Sequence, residues 1–586
     1  MYSATRYSAD ELFSPLDGDV RVSTHFDIEA NKEGQYVSPK YKMPYQPPQA
    51  PRKISIPRKP VPIYDRIPSV NDSELSMEIA KKLETEKKRV KVKVKRGWRF
   101  YGTFACLAIL NLICAIDATI LAVALPTIAT SLKGTTAIQA FWCGTSFLLC
   151  STVFQPTWAS FSHIIDRKSV LLSALVLFFI GTIIASVAKN VGELLVGRSI
   201  QGPVIGGTFA EKTTWRWIFW INIPFCAIAA IGIPVCLRLQ TREGALWDRL
   251  KTFDFFGSLI FIAATTSFLI PLTWGGVMYN WDSWRTLAPL ILGVFGIVGF
   301  VLYSAYISPG PLIRRSLFNS PTAITAYAGT LIHGMIVWSL LYYMPLYFEV
   351  AKNYSPIDSG IAIFPFTFTV APAAVVVGII IAKTGRYRPS IWVGWFLTTF
   401  GLGLLIYLNQ STNIPSWIFL SLVAGTGTGV LFSAQGFAAQ ASASNADLPF
   451  SGAMYSFFRA FGQTFGVAIS GVIFQNTFKN KILSTAYSAS ASAWARDASS
   501  LVQVVKTWST EGEEGIMKET VVHAYVESLR MVWILMCVFA GLMFIASVLW
   551  IKEISLEREL ETEQGFRYDV KNISGDEEQR AEYSSR

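Results

Sequence analysis

Twelve stretches of mostly apolar residues recur along the chain, near 102–125, 138–158, 169–188, 215–236, 254–273, 287–307, 322–347, 358–382, 389–408, 414–437, 451–475 and 530–551. A helix rises about 1.5 Å per residue, so apolar runs of about 18 to 25 residues match the roughly 30 Å of hydrocarbon in a bilayer. The polar joints between them set the orientation. Basic side chains gather in His163-Ile164-Ile165-Asp166-Arg167-Lys168, at Arg238, Arg242, Arg249 and Lys251, at Arg314 and Arg315, and at Lys383, Arg386 and Arg388. The joints around 274–284, 352–359 and 409–416 carry few of them. Positive charge stays on the cytosolic side of a membrane. The first set is therefore predicted inside, together with the Lys81–Arg99 cluster and the tail after Lys552. Asn353 and Asn409 each open an Asn-x-Ser acceptor sequence and are predicted outside.

One segment breaks this alternation. If Val191–Ala210 crossed once, three crossings would separate two loops that both read as cytosolic; two crossings would need about 40 residues, and 20 are present. The segment is predicted either to re-enter from the outside or to leave a loop on its disfavoured side.

Composition fits a chain solvated by lipid: 52% of the 586 residues are hydrophobic, 14% aromatic and 16% charged, against about a quarter charged in soluble domains. The net charge of +11 does not indicate nucleic acid. Its densest source is Lys81–Arg99, directly before the first apolar run, where it meets anionic lipid. Residues 1–97 are rich in Pro, Ser and charge without an apolar period, which predicts a disordered cytosolic tail; no cleavable signal core is visible at Met1. The seven cysteines lie in or beside apolar stretches without a CxxC pair, and the four histidines show no ligand spacing. No metal, no cofactor and no enzymatic constellation is predicted.

Chemistry is expected where polar groups interrupt the apolar runs. A carboxyl group inside lipid must face a cavity, find a partner or hold a proton. Asp117 is thus read either as a proton carrier or as a structural aspartate hydrogen-bonded to Thr119 or a neighbouring helix. Arg459 and Gln463 lie one helical turn apart and share a face, lining a substrate cavity or closing helix contacts. His333, Tyr342, Tyr343 and Tyr347 offer aromatic and polar surface that accepts flat or cationic molecules; packing is the plainer account. Gly425-Thr426-Gly427-Thr428-Gly429, inside an apolar run, reads as a packing surface rather than a phosphate loop.

Several elements occur in an order that resembles the major facilitator superfamily, in its fourteen-spanner drug:proton antiporter branch. Ile116-Asp117-Ala118-Thr119-Ile120-Leu121-Ala122-Val123-Ala124-Leu125-Pro126 resembles that family's first-helix signature. Gly197-Arg198-Ser199-Ile200-Gln201-Gly202 is similar to its fourth-span motif, and Gly202-Pro203-Val204-Ile205-Gly206-Gly207 to the end of its fifth-span antiporter motif. Trp215-Arg216-Trp217-Ile218-Phe219-Trp220-Ile221-Asn222-Ile223-Pro224 resembles the entry to the sixth span. Gly385-Arg386-Tyr387-Arg388 and Phe457-Phe458-Arg459-Ala460-Phe461-Gly462-Gln463 resemble carboxy-terminal elements of fungal members. The likeness covers roughly residues 100 to 565.

The resemblance implies that Arg198 influences protonation of Asp117 and that Gln201, His333, Tyr342, Tyr343, Arg459 and Gln463 line the substrate cavity. It also implies that Gly202, Pro203, Gly206 and Gly207 pack helices closely, and that Asp166, Arg167, Lys168, Arg386 and Arg388 form a cytoplasmic gate. Two departures stand out. Relatives separate the fourth- and fifth-span motifs by about two helix crossings' worth of chain, about fifty residues; here the motifs share Gly202. In the loop after the second span, Ala159, His163 and Asp166 occupy the places where the family pattern has Gly, Asp and Gly.

The expected fold is all-α: a polytopic helical bundle of the major-facilitator type, with two halves and an incomplete amino-terminal half. The expected parts are a tail over 1–97, an amino-terminal bundle over 98–240 truncated near 191–210, a two-span insert over 241–310 and a carboxy-terminal bundle over 311–475. An external loop over 476–528, a last helix over 529–555 and a cytosolic tail over 556–586 complete it. The expected function is proton-coupled efflux of small amphiphilic or toxic organic compounds by a monomer in the plasma membrane. The alternatives are a vacuolar location, a siderophore or metabolite porter of the same fold, and a non-transporting membrane protein. Expected partners are a small-molecule substrate, protons and the lipid bilayer, with no nucleic acid.

Overall fold

Apolar runs bounded by caps and prolines become helices. α1 is Trp98–Ser131, α2 Ala137–Ile164, α3 Arg167–Val187, α4 Val191–Gln201 and α5 Asn222–Cys236. A hairpin of α6, Phe255–Trp274, and α7, Trp284–Tyr306, follows. The second half comprises α8, Pro321–Ala351, α9, Phe364–Thr384, α10, Arg388–Leu405, α11, Ile414–Ala441, α12, Leu448–Leu483, and α13, Gly512–Trp550. The computed structural model describes residues 97–131, 137–201, 216–239, 246–275, 279–308, 310–496 and 498–556, all within the unit Val94–Arg586. The terminal tails lie almost wholly outside the described residues.

The starts of these helices are written locally. Ser320 accepts a hydrogen bond from the amide of Ala323 before Pro321 opens α8, and Asn413 does the same for Ser416 before α11, satisfying amides that the first turn leaves unpaired. Asp254 caps α6 through Gly257 and also accepts from Ser308 Oγ at 2.6 Å and Tyr303 Oη at 3.0 Å, which fastens the α6–α7 hairpin at its base. α9 ends on Gly385, whose φ of 68° is left-handed and suits glycine.

Among the described residues, eight helices are long and apolar enough to cross a membrane: α3, α6, α7, α8, the Pro356–Thr384 segment that contains α9, α11, α12 and α13. The other predicted spans are helical too, as α1, α2, the 15-residue α5 and the 18-residue α10. The end of the chain departs from the expected bounds. The segment 476–528 is largely helical: α12 runs on to Leu483, short helices cover Ala491–Arg496 and Ala498–Thr507, and α13 already begins at Gly512. Glu513, Glu514, Lys518 and Glu519 end the apolar run but not the helix, because charged residues are good helix formers and acidic ones suit its first turn.

Burial differs between the halves. α8 to α13 share one continuous core, including Trp395, Trp533, Phe366 and Tyr525. The described residues of the amino-terminal half form smaller clusters, one joining Ile113, Phe178 and Ile233 across α1, α3 and α5. The glycine run on α11 is a packing surface, as expected. A Cβ at Gly425 or Gly429 would meet α9 at 2.1 Å from Thr369 Oγ1 or 2.4 Å from Val370 O, and one at Gly427 would lie 2.4 Å from Thr398 N on α10. α8 and α12 approach as closely: a Cβ at Gly462 would stand 1.9 Å from Leu331 O. Gly462→Val should therefore overpack this contact, destabilise the protein by about 1–3 kcal/mol and lower its thermal midpoint. Gly452→Val, on the same helix with nothing within 4 Å of the added Cβ, should leave the midpoint unchanged.

Candidate functional site

Four elements of the amino-terminal half converge on one carboxylate. Asp117 lies mid-way along α1 and is fully buried. Arg198, in the last turn of α4 and equally buried, donates from Nη1 to Asp117 Oδ2 and from Nη2 to the backbone oxygen of Asp117 at 3.2 Å. Two further donors are committed as well: Nη1 also reaches Gln201 Oε1 at 2.8 Å, and Nε reaches the Cys143 carbonyl of α2 at 3.3 Å. The guanidinium carbon stands 4.4 Å from the centre of the Phe147 ring and 5.7 Å from that of Phe219, whose faces favour a cation. Asn222 Nδ2, at the start of α5, donates to the other oxygen, Asp117 Oδ1, at 3.1 Å. Gln201 Nε2 donates to Thr182 Oγ1 of α3 at 2.8 Å.

The backbone fit that allows this is glycine-dependent. α3 and α4 touch main chain to main chain at Gly181 and Gly197: a Cβ at Gly197 would lie 2.7 Å from Ala185 N, and one at Gly181 2.7 Å from Gly197 O. Arg216 holds the following segment by donating to Ala188 O at 2.7 Å. The sequence reading picked out Asp117, Arg198 and Gln201, and the structure brings these three together. It missed Asn222, Phe219 and Thr182, although Asn222 and Phe219 stood inside the Trp215–Pro224 element. Their roles depend on α5 folding back against α1, which no local spacing announces. The side chain of Thr119 and the residues Gly202, Pro203, Gly206 and Gly207 lie outside the described residues.

A second polar cluster lies in the other half. His333 of α8 is buried, shares Nε2 with the Thr428 carbonyl of α11 at 2.9 Å, and faces the Phe432 ring, centroids 6.1 Å apart. Arg459 of α12 lies over the same Phe432 ring at 4.0 Å and donates to Tyr455 Oη at 3.2 Å. Gln463 follows one turn later, half-buried. Tyr343 packs on Phe474, and Tyr347 donates to Asn409 O at 2.7 Å; Tyr342 places its hydroxyl where a Cβ at Gly144 of α2 would be 3.4 Å away. Tyr342 thus faces the opposite half, while Tyr343 and Tyr347 serve their own.

The residues expected as a cytoplasmic gate do not meet. Asp166 spends its carboxylate on the amide and hydroxyl of Ser169, capping α3, and Lys168 donates to Pro234 O. Arg388 lies over Trp392, and Arg386 is exposed. Contact between the halves at this end runs instead through His163 of α2, edge-on to Phe450 of α12 at 4.8 Å, with Arg314 over that ring at 3.9 Å and paired to Asp447 at 2.9 Å. Burial alone would raise the pKa of Asp447, yet hydrogen bonds from Ser316, Arg314 and Ser444 and the Arg314 charge hold it below the usual carboxylate range.

A family model described as Major Facilitator Superfamily matches residues 107–202 and 199–471, two stretches that overlap at the Arg198–Gly202 junction. A protein of Phoma sp. named as an MFS transporter is 46% identical over 542 residues, covering 85% of this chain and 88% of its own length. Because 85% of 586 residues is fewer than 542, the Phoma protein carries residues inside the matched span that this chain lacks. The MFS-type transporter of an acurin A biosynthesis cluster in Aspergillus aculeatus is 32% identical, covering 81% of this chain and 93% of its own length. An MFS-type efflux pump of Fusarium sp. is 31% identical over 80% of this chain and 91% of its own.

Proposed function

The chain belongs to the major facilitator superfamily of membrane transporters, and we propose that it is a proton-driven exporter of small organic compounds in which Asp117 carries the proton. One observation supports this most: a fully buried carboxylate whose only ionic partner among the described residues is an equally buried arginine. A buried ion pair is a poor way to gain stability, because desolvation offsets most of the attraction. Its retention suits a switch. When Asp117 takes a proton, the carboxylate loses its negative charge while Arg198 keeps its positive one, the ionic attraction ends, and the hydrogen-bonded chain through Gln201 to Thr182 is freed to reorganise α4 against α3. When Asp117 releases the proton, the pair closes again. Alternating access around such a site would exchange a proton for substrate. One proton moving through 100 mV supplies about 2.3 kcal/mol, enough for roughly a fifty-fold gradient. Relatives named as efflux pumps support the outward direction of transport.

Efflux from vesicles under an imposed pH gradient tests the proposal; a chain that exports as well without the gradient would sink it. A second reading, a non-transporting membrane protein, is favoured by one feature. Val191–Ala210 offers 20 residues where two crossings need about 40.

The proposed orientation places both termini in the cytosol. Gln410 is exposed in the joint before α11 and Arg386 in the joint before α10, while the native cysteines among the described residues are buried or half-buried. A membrane-impermeant maleimide should label Gln410→Cys on intact cells and Arg386→Cys only after permeabilisation. The reverse pattern would invert the topology.

A further inference from the structure

The deepest guanidinium of the amino-terminal half is matched by a carboxylate, whereas Arg459 in the other half is not. Arg459 lies eleven residues into the 36-residue α12, inside the apolar stretch 451–475, and is half-buried. Its contacts are the faces of Phe432 and Tyr455, at 4.0 and 4.9 Å, and the Tyr455 hydroxyl. Among the described residues the buried carboxylates of this half, and half-buried Glu527, are held elsewhere: Glu349 by Lys506 at 3.3 Å, Asp447 by Arg314, and Glu527 by Arg530 and Lys481. Arginine does not give up its proton. A full positive charge therefore stands in that stretch with two ring faces and one hydroxyl to offset it.

His333, across the Phe432 ring from Arg459, and Gln435, about one turn further along α11, carry unpaired atoms. The Thr428 carbonyl can only accept, so His333 Nε2 carries the hydrogen, and Nδ1 is left as an acceptor with no partner. Gln435, three residues beyond Phe432 on α11 and 1% exposed, has neither amide atom paired. A Cβ at Gly329, one turn before His333 on α8, would lie 2.9 Å from its Nε2. Orphaned buried polar atoms in a native bundle call for a bound partner.

We propose that Arg459, with His333 and Gln435, recognises the carboxylate of the exported compound, so that the substrates are organic acids and not cations. This rests on the reading of the chain as an exporter and names the class of molecule it carries. The guanidinium fork matches a carboxylate in two parallel hydrogen bonds. His333 Nδ1 is then left for a hydroxyl of the same molecule, and the Gln435 amide for either a donor or an acceptor.

Equilibrium binding to the full chain in phosphatidylcholine nanodiscs tests this, with 6-hydroxy-2-naphthoate, the matched carboxamide and 2-naphthylmethylammonium as probes. The naphthoate is expected to bind at least about ten-fold more tightly than either control, and Arg459→Gln to erase that preference. Equal affinities, tighter binding of the ammonium probe, no binding of the naphthoate, or a preference that survives Arg459→Gln would each overturn the proposal. Should Arg459→Gln not remain monodisperse, Arg459→Lys takes its place: the point charge without the fork should weaken the naphthoate about five-fold, and unchanged affinity overturns the proposal. If phosphatidylglycerol in the discs displaces the naphthoate, Arg459 belongs to a lipid phosphate and the substrate assignment fails. No pH gradient enters these measurements, so their failure leaves proton exchange at Asp117 standing, and failure of gradient-driven efflux leaves the binding result standing.

Discussion

Replacing Asp117 with Asn is expected to abolish proton-driven efflux while substrate binding stays measurable. The amide keeps the size of the side chain and its one oxygen can still accept from Arg198, but its NH2 then faces the Asn222 donor and it cannot take up or release a proton. The same change strands Arg198. Its guanidinium is fully buried with Asp117 as the counter-charge, and breaking one side of a buried pair costs about 3–5 kcal/mol. Asp117→Asn should therefore lower thermal stability as well as transport. Arg198→Gln added to it should restore much of the stability, because no uncompensated charge remains, and should restore none of the gradient-driven efflux. Vesicle efflux under an imposed pH gradient, read beside thermal midpoints of the single and double variants, separates the two effects. Undiminished efflux in Asp117→Asn would remove this residue from the mechanism.

Inserting the missing pair of relative-type helices after Gln201 is expected to raise both the yield of monodisperse protein and the transport rate several-fold. Val191–Ala210 has 20 residues, too few for two crossings, and a re-entrant backbone in hydrocarbon must find protein or water for its peptide groups, at several kcal/mol for each one left bare. The two matched stretches of the family model meet at this same point. Purification yield and vesicle efflux of the original and extended chains decide the matter. If the original is monodisperse and pumps equally well, the short segment is tolerated and the account of the junction is wrong.

Much of the architecture was legible because lipid imposes a one-dimensional rule. Each backbone polar group must be satisfied inside its own segment, so a run of apolar residues of membrane-spanning length can only be a helix. Capping residues and prolines at Ser320-Pro321 and Asn413-Ile414-Pro415 then mark starts by local chemistry alone. The rule reports only apolarity, however. It closed α12 too early and opened α13 too late, because the charged first turns of α13 continue a helix that hydropathy stops counting.

The sequence by itself determined the class of fold and the approximate spans, and it singled out Asp117 as a carboxylate inside an apolar run. Only the tertiary structure decided that Asp117, Arg198 and Gln201 form one network with Asn222, that Asp166 caps α3 through Ser169, and that Arg459 lies over the Phe432 ring that His333 also faces, without a carboxylate partner among the described residues. The reason is physical. A helix fixes the direction of a side chain relative to its own axis within a few residues, so spacing reveals a face. What that face meets depends on packing between helices that are 81 residues apart for Asp117 and Arg198 and 105 apart for Asp117 and Asn222, and no local period encodes such a meeting.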